Sequence, residues 1–566
     1  MKSKNDNINR EDIVSMIGSE NTEIIDNISI EYIDNYSIWL KLLWGLYNEF
    51  QSIEVCNYLS RRGTDYCDAT QKINSDIKQS ITFGTVRHYS RLSNEENYIN
   101  IISKYIVDLK PTEESLSNAF LKLVDGDICY NNGKIYVYEH EWVCDEKKYI
   151  LKKKIRVILN TYIKKKLNEI DEEDDEAPIK NTYLTEILKK VQQRKTIDNV
   201  AEFTIQTLGS KQTHIKFDIS QEQLYNIHFK NGCYELKTKT FRKRTKMDYV
   251  TEFLDWEYND NVDNKYIEEV ELFFKKIHVN KDDRNFCISW LASCLDGSLS
   301  KNKFKMNLGE SAENGKSTEF NVHSKVFDIY SNKLSSTFFN MDNNKRHKEL
   351  LRLLLKPIRF AFIEELKTKK LDADIIKEMC DGRMVCDVLY SEAISGTIQA
   401  TINTCSNRFC NIDLDKGVLR RILLQEYTSS FSRNNTEDNF ETKTFKPDLH
   451  FIDKFDDENM KNAYFQVLLK HYKVNIDIPQ KYVDNFADMA EEFDEFGAAL
   501  SNITEKTEHD EDRIHKDDFM NAMIEAGCGT RVWREILSNM KSRGYKYGRQ
   551  LKTNGKQGCF VGIKFK

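Results

Sequence analysis

The sequence is poor in residues that break or staple a chain. Five Pro and 22 Gly among 566 residues exclude a collagen-like or Pro-rich linker protein. The 13 Cys form no CxxC pair. The closest spacings, Cys380/Cys386 and Cys405/Cys410, lack a second pair at zinc-finger distance. An odd count of scattered Cys fits reduced, mostly buried thiols of an intracellular protein. No apolar run approaches the ~18 residues of a membrane span, and the mean hydropathy is −0.62. The N-terminal MKSKNDNINREDIV lacks the apolar stretch of a secretory signal. No membrane partner is expected. A positive excess is missing too: 84 Lys+Arg face 90 Asp+Glu, for a net charge of −6. Taken whole, that balance argues against a nucleic-acid partner.

What is present changes this picture. The chain is 40% hydrophobic and 11% aromatic, enough for several cores. Its length predicts roughly three to five domains. The charge is blocky. Residues 169–176 (EIDEEDDE) hold seven acids and no base, and Pro178 follows, as in a solvated linker. Residues 484–512 carry eleven acids and one Lys, with Phe486, Met489, Ala490, Phe493, Phe496, Ala499 and Leu500 at helical spacing. Without these two stretches the remainder is about +11, so the acidity lies in segments that need not face a ligand. Basic blocks lie at 147–166 (nine bases, no acid), at 237–246 (KTKTFRKRTK) and at 541–566 (eight bases, no acid).

Periodicity predicts helices over 30–100, a hairpin over 128–145 around Asn131-Asn132-Gly133, and helices over 146–200. Strands are expected over 224–256 and helices over 264–297. Strands alternating with helices from 303 to about 430 indicate an α/β domain. Helices follow over 450–500, then two short helices and a hairpin turning at Asn554-Gly555.

The most informative segment is FKMNLGESAENGKSTEF at 304–320. An apolar strand enters a loop that ends in Gly315-Lys316-Ser317-Thr318 and opens a helix. Backbone N–H groups of such a loop and helix start wrap a phosphate. Glu310, Ser311, Ala312, Glu313, Asn314, Gly315, Lys316, Ser317 and Thr318 are the candidate ATP-binding residues. Lys316 would reach the β- and γ-phosphates and Ser317 would hold Mg²⁺. The spacing is unusual: the first-glycine position falls on Glu310, and Gly309 lies one residue early.

About fifty residues on, RFAFIEEL ends an apolar strand in Glu364-Glu365. Glu364 suits Mg²⁺ and Glu365 the attacking water. A later strand is expected to end at Asn403, beside the γ-phosphate, and Arg420 or Arg421 in DKGVLRR suits a charge-stabilising finger. Asp372-Ala373-Asp374 is a DxD, poorly placed for a primase site.

This ordered set resembles the superfamily 3 helicases, an AAA+ branch, and more narrowly the primase-helicase or poxvirus-type NTPase family of nucleocytoplasmic large DNA viruses and phages. The residues that carry the resemblance are NGKST (314–318), FIEE (362–365), IIKEMCDG (375–382), LYSE (389–392), TIN (401–403) and DKGVLRR (415–421). FKNGCYEL…DWEY (229–258), KIYVYEHEW (134–142), Trp39, Tyr58-Leu59-Ser60 and Gly84-Thr85-Val86 extend it toward the N-terminus. Position 387 is Asp where the family leads one to expect a base, and no archaeo-eukaryotic primase domain precedes residue 35.

The resemblance implies an α/β AAA+ P-loop core with helical and mixed α+β N-terminal domains and a C-terminal winged helix. The expected domains are an N-terminal tail (1–34), a primase C-terminal-like helical domain (35–105), and a poxvirus-type NTPase N-terminal region (106–260) containing the acidic linker 169–178. The ATPase (261–475), an acidic helical linker (476–512) and the winged helix (513–566) complete the chain. It implies a homo-hexameric ring that hydrolyses ATP with Mg²⁺ between subunits and unwinds single-stranded and forked DNA. The DNA contacts would come from Tyr390–Thr397, with Ser391, Ser395, Lys377 and Arg383, and from the basic wing. A separate primase or polymerase partner and an intracellular viral replication site follow. The alternative is an AAA+ ATPase that loads or remodels replication partners without unwinding.

Overall fold

A computed structural model describes residues 9–64, 69–73, 81–105, 109–170, 177–210, 215–298, 302–309, 313–339, 346–366, 370–386, 394–409, 411–412, 416–492, 494–528 and 533–566. The chain divides into two units, 1–217 with 245–251, and 218–244 with 252–566. No helix among the described residues is long and apolar enough to cross a membrane.

The first unit holds two main cores. One gathers helices between Arg10–Asp26 and Glu95–Tyr105 around Ile24, Leu42, Leu43 and Val55. The buried Trp39 indole is satisfied by Ser60 Oγ at 2.9 Å, as a buried donor must be. The other packs helices Glu113–Val124, Tyr149–Asn168, Ala177–Gln192 and Arg194–Ser210 on a three-stranded antiparallel sheet. The expected hairpin forms here, Asn131 opposite Lys134 across a two-residue Asn132-Gly133 turn.

The second unit opens with three antiparallel strands, Asn226–Phe229, Gly232–Glu235 and Thr240–Arg242. Two helices follow, α1 (Asn264–Ile277) and α2 (Lys281–Ser293). The central sheet is built from β1 (Phe304–Leu308), β2 (Ser331–Lys333), β3 (Phe360–Ile363), β4 (Thr401–Ser406) and β5 (Ile422–Glu426). Its strands are all parallel, in the order β5-β1-β4-β3-β2. Helix α3 (Lys316–Val326) runs between β1 and β2, and α4 (Glu458–His471) packs on α1 and α2. β1, β3 and β4 are buried along their whole length; β3 (FAFI) reads as a continuous apolar run, as strands covered on both faces do, whereas β1 (FKMNL) and β4 (TINTCS) carry polar residues between apolar ones.

The acidic stretch near residue 490 forms two helices, Lys481–Glu492 and Glu495–Ile503. Phe486 and Ala490 of the first join the sheet core. Phe496, Ala499 and Leu500 of the second join the C-terminal core. One apolar stripe thus serves two cores, and Asp494 caps the second helix through the Gly497 N–H at 2.9 Å. Phe493 lies outside the described residues, as does 171–176 of the acidic linker. The C-terminal segment has helices Lys516–Met523 and Trp533–Ser542, then a hairpin of Lys546–Thr553 and Lys556–Val561 joined by Arg513–His515 into a sheet.

Candidate functional site

The site forms where β1 ends. β1 delivers the chain to Gly309, whose N–H bonds the Ser406 carbonyl of β4 at 3.2 Å. Glu310, Ser311 and Ala312 lie outside the described residues. The loop returns through Glu313 and Gly315, both left-handed with φ of 64° and 87°. For Glu313 that conformation is unfavourable; its carbonyl is held by the Phe431 N–H at 2.7 Å. A Cβ on Gly315 would lie 2.9 Å from Ile277 Cγ1. Helix α3 then begins at Lys316.

Lys316 is almost fully buried. Its ammonium donates to Asn314 Oδ1 (2.9 Å), Asn407 Oδ1 (3.0 Å) and the Gly309 carbonyl (3.4 Å). All three acceptors are neutral, and burial holds the Lys316 pKa below its ordinary value. Gly309 belongs to this cradle: a Cβ there would lie 2.0 Å from Asn314 Nδ2 and 2.5 Å from Lys316 Nζ. A buried cation with no carboxylate partner among the described residues, at a helix N-terminus with a side-chain-free approach, suits an anion. Ser317 is exposed and Thr318 half-buried beside it.

A cavity of about 450 Å³ adjoins the loop. Gly315 and Thr318 form its edge, and Phe273, Ile277, Phe431 and Phe451 form apolar walls. The segment after β5 closes it, since Ser429 Oγ bonds the Lys276 and Ile277 carbonyls at 2.7 and 2.9 Å.

Glu364 and Glu365 follow β3 directly. Glu364 is half-buried and ion-paired to Lys333 of β2, and Glu365 is exposed. The expectation for Asn403 is corrected. Asn403 sits mid-strand and fully buried, where its Oδ1 accepts from Trp290 Nε1 at 2.7 Å and its Nδ2 donates to the Thr401 carbonyl at 3.1 Å. β4 continues three residues beyond it. The residue beyond the strand end is Asn407, in a turn held by Ser406 Oγ, which accepts from the Arg408 N–H at 3.1 Å. Asn407 is the one that reaches Lys316, and it was missed. Its signal was an Asn one step past a polar strand, ahead of Arg408.

Arg420 and Arg421 lie at the opposite end of the sheet. The Arg421 carbonyl accepts from the Phe304 N–H at 2.8 Å, at the start of β1. One strand length, on the order of 15 Å, separates them from the loop at the far end of β1. Arg421 is tied to Asp381 (2.6 Å) and the Gly417 carbonyl (3.0 Å), whereas Arg420 is exposed. Asp415 lies outside the described residues, as do Asp387, Tyr390 and Ser391. Arg383 is exposed on the strand Arg383–Cys386, whose partner Ile394–Thr397 holds Ser395; Lys377 pairs with Asp374 at 3.4 Å. Asp372 caps a helix by accepting from the Asp374 and Ile375 N–H groups.

Beneath Lys316, the buried Glu319 binds three elements. It accepts from His278 Nε2 (2.8 Å), Cys287 Sγ (2.9 Å) and Tyr427 OH (3.0 Å). Burial raises its pKa, but His278, Lys305 and Cys287 outweigh that and leave it below the ordinary value. His278, Cys287 and Glu319 offer three metal-ligand atoms within 4.8 Å. Each is already hydrogen-bonded, and Lys305 Nζ lies 4.0 Å from Cys287 Sγ. We therefore read a buried network that fixes α3 against α1, α2 and the end of β5.

The family model described as D5 N terminal like matches residues 117–291. The chain carries a D5 N-terminal-like domain. This bears out the primase-helicase resemblance read from the sequence. Over 270 residues the chain is 24% identical to "Putative helicase L207/L206" of Acanthamoeba polyphaga mimivirus, a match covering 44% of this chain and 27% of that one. The apo structure of the NrS-1 C terminal region is a structural neighbour with TM-score 0.34 and 10% identity, over 64% of this chain and 89% of that chain. Its A form gives 0.33 over the same shares. The D5 N-terminal-like match includes the three-stranded sheet of the first unit and the strands Asn226–Phe229, Gly232–Glu235 and Thr240–Arg242 of the second, and ends within α2, short of β1.

Proposed function

We propose that the protein is an ATP-dependent DNA helicase of viral replication, of the superfamily 3 AAA+ type, acting as a homo-hexameric ring. One observation carries the reading: Lys316 is buried in a glycine-edged cradle whose acceptors, among the described residues, are all neutral, as an anion site requires. The strand order β5-β1-β4-β3-β2, with the loop after β1 and the acids after β3, supports an AAA+ core. The D5 N-terminal-like domain and the mimivirus relative support the helicase assignment.

In this reading Lys316 and the first N–H groups of α3 bind the phosphates, and the apolar cavity takes the nucleobase. Mg²⁺, bound with ATP, supplies neutralisation of phosphate charge. Ser317 and Glu364 would hold it, with Lys333 releasing Glu364. Glu365 orients water. Asn407 moves from Lys316 to the γ-phosphate, the role expected of Asn403. Arg420 is the finger and serves the neighbouring subunit, being a strand length from its own loop; Arg421 holds it in place. The C-terminal helices and hairpin act as a winged helix, exposing Lys546, Arg549 and Lys552 to DNA. Primer synthesis comes from another chain or from a segment upstream of this sequence, at an intracellular replication site.

The test is ATP hydrolysis with and without single-stranded DNA. DNA-stimulated turnover in the wild type and its abolition in Lys316→Ala are expected. Unaltered turnover in that variant refutes the site. Stimulated turnover without strand separation favours a loader.

A further inference from the structure

Two of the three basic blocks have an account. Block 237–246 is largely consumed internally: Arg242 pairs with Glu235 (2.6 Å), Arg244 donates to the Phe229 carbonyl (2.6 Å), and Lys246 is buried on the Asp125 carbonyl (2.6 Å). Block 541–566 forms the C-terminal hairpin. The block at 147–166 lies on helix Tyr149–Asn168 of the first unit, and the ATP site makes no use of it.

That helix is built as a rigid platform. Leu151, Ile155, Leu159, Tyr162 and Ile163 bury one face. The Asp145 carboxylate caps its start, accepting from the Tyr149 N–H (2.9 Å) and Leu151 N–H (2.8 Å). Cations on its flanks are neutralised: Lys152 by Asp198 (2.8 Å), Lys154 by Asp127 (3.1 Å) and Lys166 by Glu169 (3.1 Å).

The centre of the outward face is different. Tyr149, Lys153, Arg156, Val157 and Lys164 are exposed and recur at helical spacing. No Asp or Glu occurs from 147 to 168. Asp198, already paired to Lys152, is the acid that Arg156 also senses. Lys153 and Lys164 are about 16 Å apart along the axis, a length that several phosphates of a strand can follow. Tyr149 stands 70% exposed at one end. A solvent-exposed ring beside a row of cations is the stacking-plus-phosphate arrangement that unpaired bases use. A duplex offers phosphates but keeps its base faces stacked.

We propose that this helix face binds single-stranded DNA, with phosphates on Lys153, Arg156 and Lys164 and a base on Tyr149. The choice of DNA rests on the proposed helicase reading; the binding itself does not require ATP hydrolysis.

The experiment titrates salt against binding of a fluorescent oligo-dT strand to the full chain by anisotropy. It is repeated in a Lys546→Ala/Arg549→Ala/Lys552→Ala background, so that the C-terminal hairpin does not mask the result. Lys153→Ala/Arg156→Ala/Lys164→Ala is expected to reduce the slope of log K against log salt by about 2, at ~0.7 per lost phosphate contact. Tyr149→Ala is expected to weaken oligo-dT binding about fivefold or more, with Tyr149→Phe restoring it and duplex binding unchanged. DNA-free ATP turnover should stay at the wild-type level. An unchanged slope in the triple variant, or a Tyr149→Ala loss equal on duplex, overturns the proposal. A wild type that hydrolyses no ATP yet shows the slope change refutes the motor reading and leaves this one standing.

Discussion

Among the described residues Lys316 has three neutral acceptors, and two of them, Gly309 and Asn407, make separate predictions. Gly309→Ala places a methyl group where Asn314 and Lys316 sit. We expect ATP affinity at least tenfold weaker, with the thermal melt little changed, measured by nucleotide titration. Asn407→Ala and Asn403→Ala should behave oppositely. Asn407→Ala is expected to lower kcat by about tenfold or more, as loss of one electrostatic contact at a transition state does, and to leave stability nearly intact. Asn403→Ala leaves the buried Trp290 N–H unpaired, for about 1–3 kcal/mol of stability, read by denaturant melts. Both were within reach of the sequence, yet only the acceptor's type was legible. TIN reads as a strand end because Thr404, Ser406 and Asn407 are polar. In a strand buried on both faces that pattern carries no boundary, since Asn403 bonds Trp290 and the Thr401 carbonyl inside the protein and Ser406 Oγ bonds the Arg408 backbone. Gly309 was legible as a glycine near the loop but not as part of it, because spacing does not show a side-chain approach.

At the scale of elements, α3 is held by buried polar groups whose protonation is fixed. His323 is buried against Tyr464, Phe327 and Phe360, and burial pushes its pKa down to about 3. In the unfolded chain it returns to about 6.5. Below pH 6.5 the unfolded state therefore takes up a proton that the native state refuses, so stability is full above 6.5 and falls with pH. The loss is about 1.4 kcal/mol per pH unit from this group. Glu319, whose pKa is lowered, adds its loss only below the ordinary carboxylate range. Melts between pH 7.5 and 5 should show the decline, and His323→Asn should make it shallower, the buried His88, also held down to about 4, supplying part of the rest. The elements themselves were well marked in the sequence: the 128–145 hairpin, the apolar strands and the helix after the loop. The acidic stretch was legible as helical but not as two helices, because its apolar stripe continues across the cap at Asp494 into a different core.

For the whole molecule, the net charge of −6 says little about partners, because it averages acidic connectors against basic surfaces. Arg420 and the Lys316 loop lie at opposite ends of β1, so in the proposed reading a site that uses Arg420 takes it from a second copy. Neither Lys316→Ala nor Arg420→Ala should hydrolyse ATP alone, and mixing them should restore turnover, measured by phosphate release; Arg421→Ala, which loses an ion pair to Asp381, should act mainly through stability. Absence of rescue would contradict Arg420 as a finger supplied by the neighbouring copy. The most direct measurement is strand displacement on forked DNA with ATP, wild type beside Lys316→Ala. The account predicts ATP-dependent separation by the wild type and none by the variant. ATP hydrolysis without separation, or separation by the variant, would contradict it.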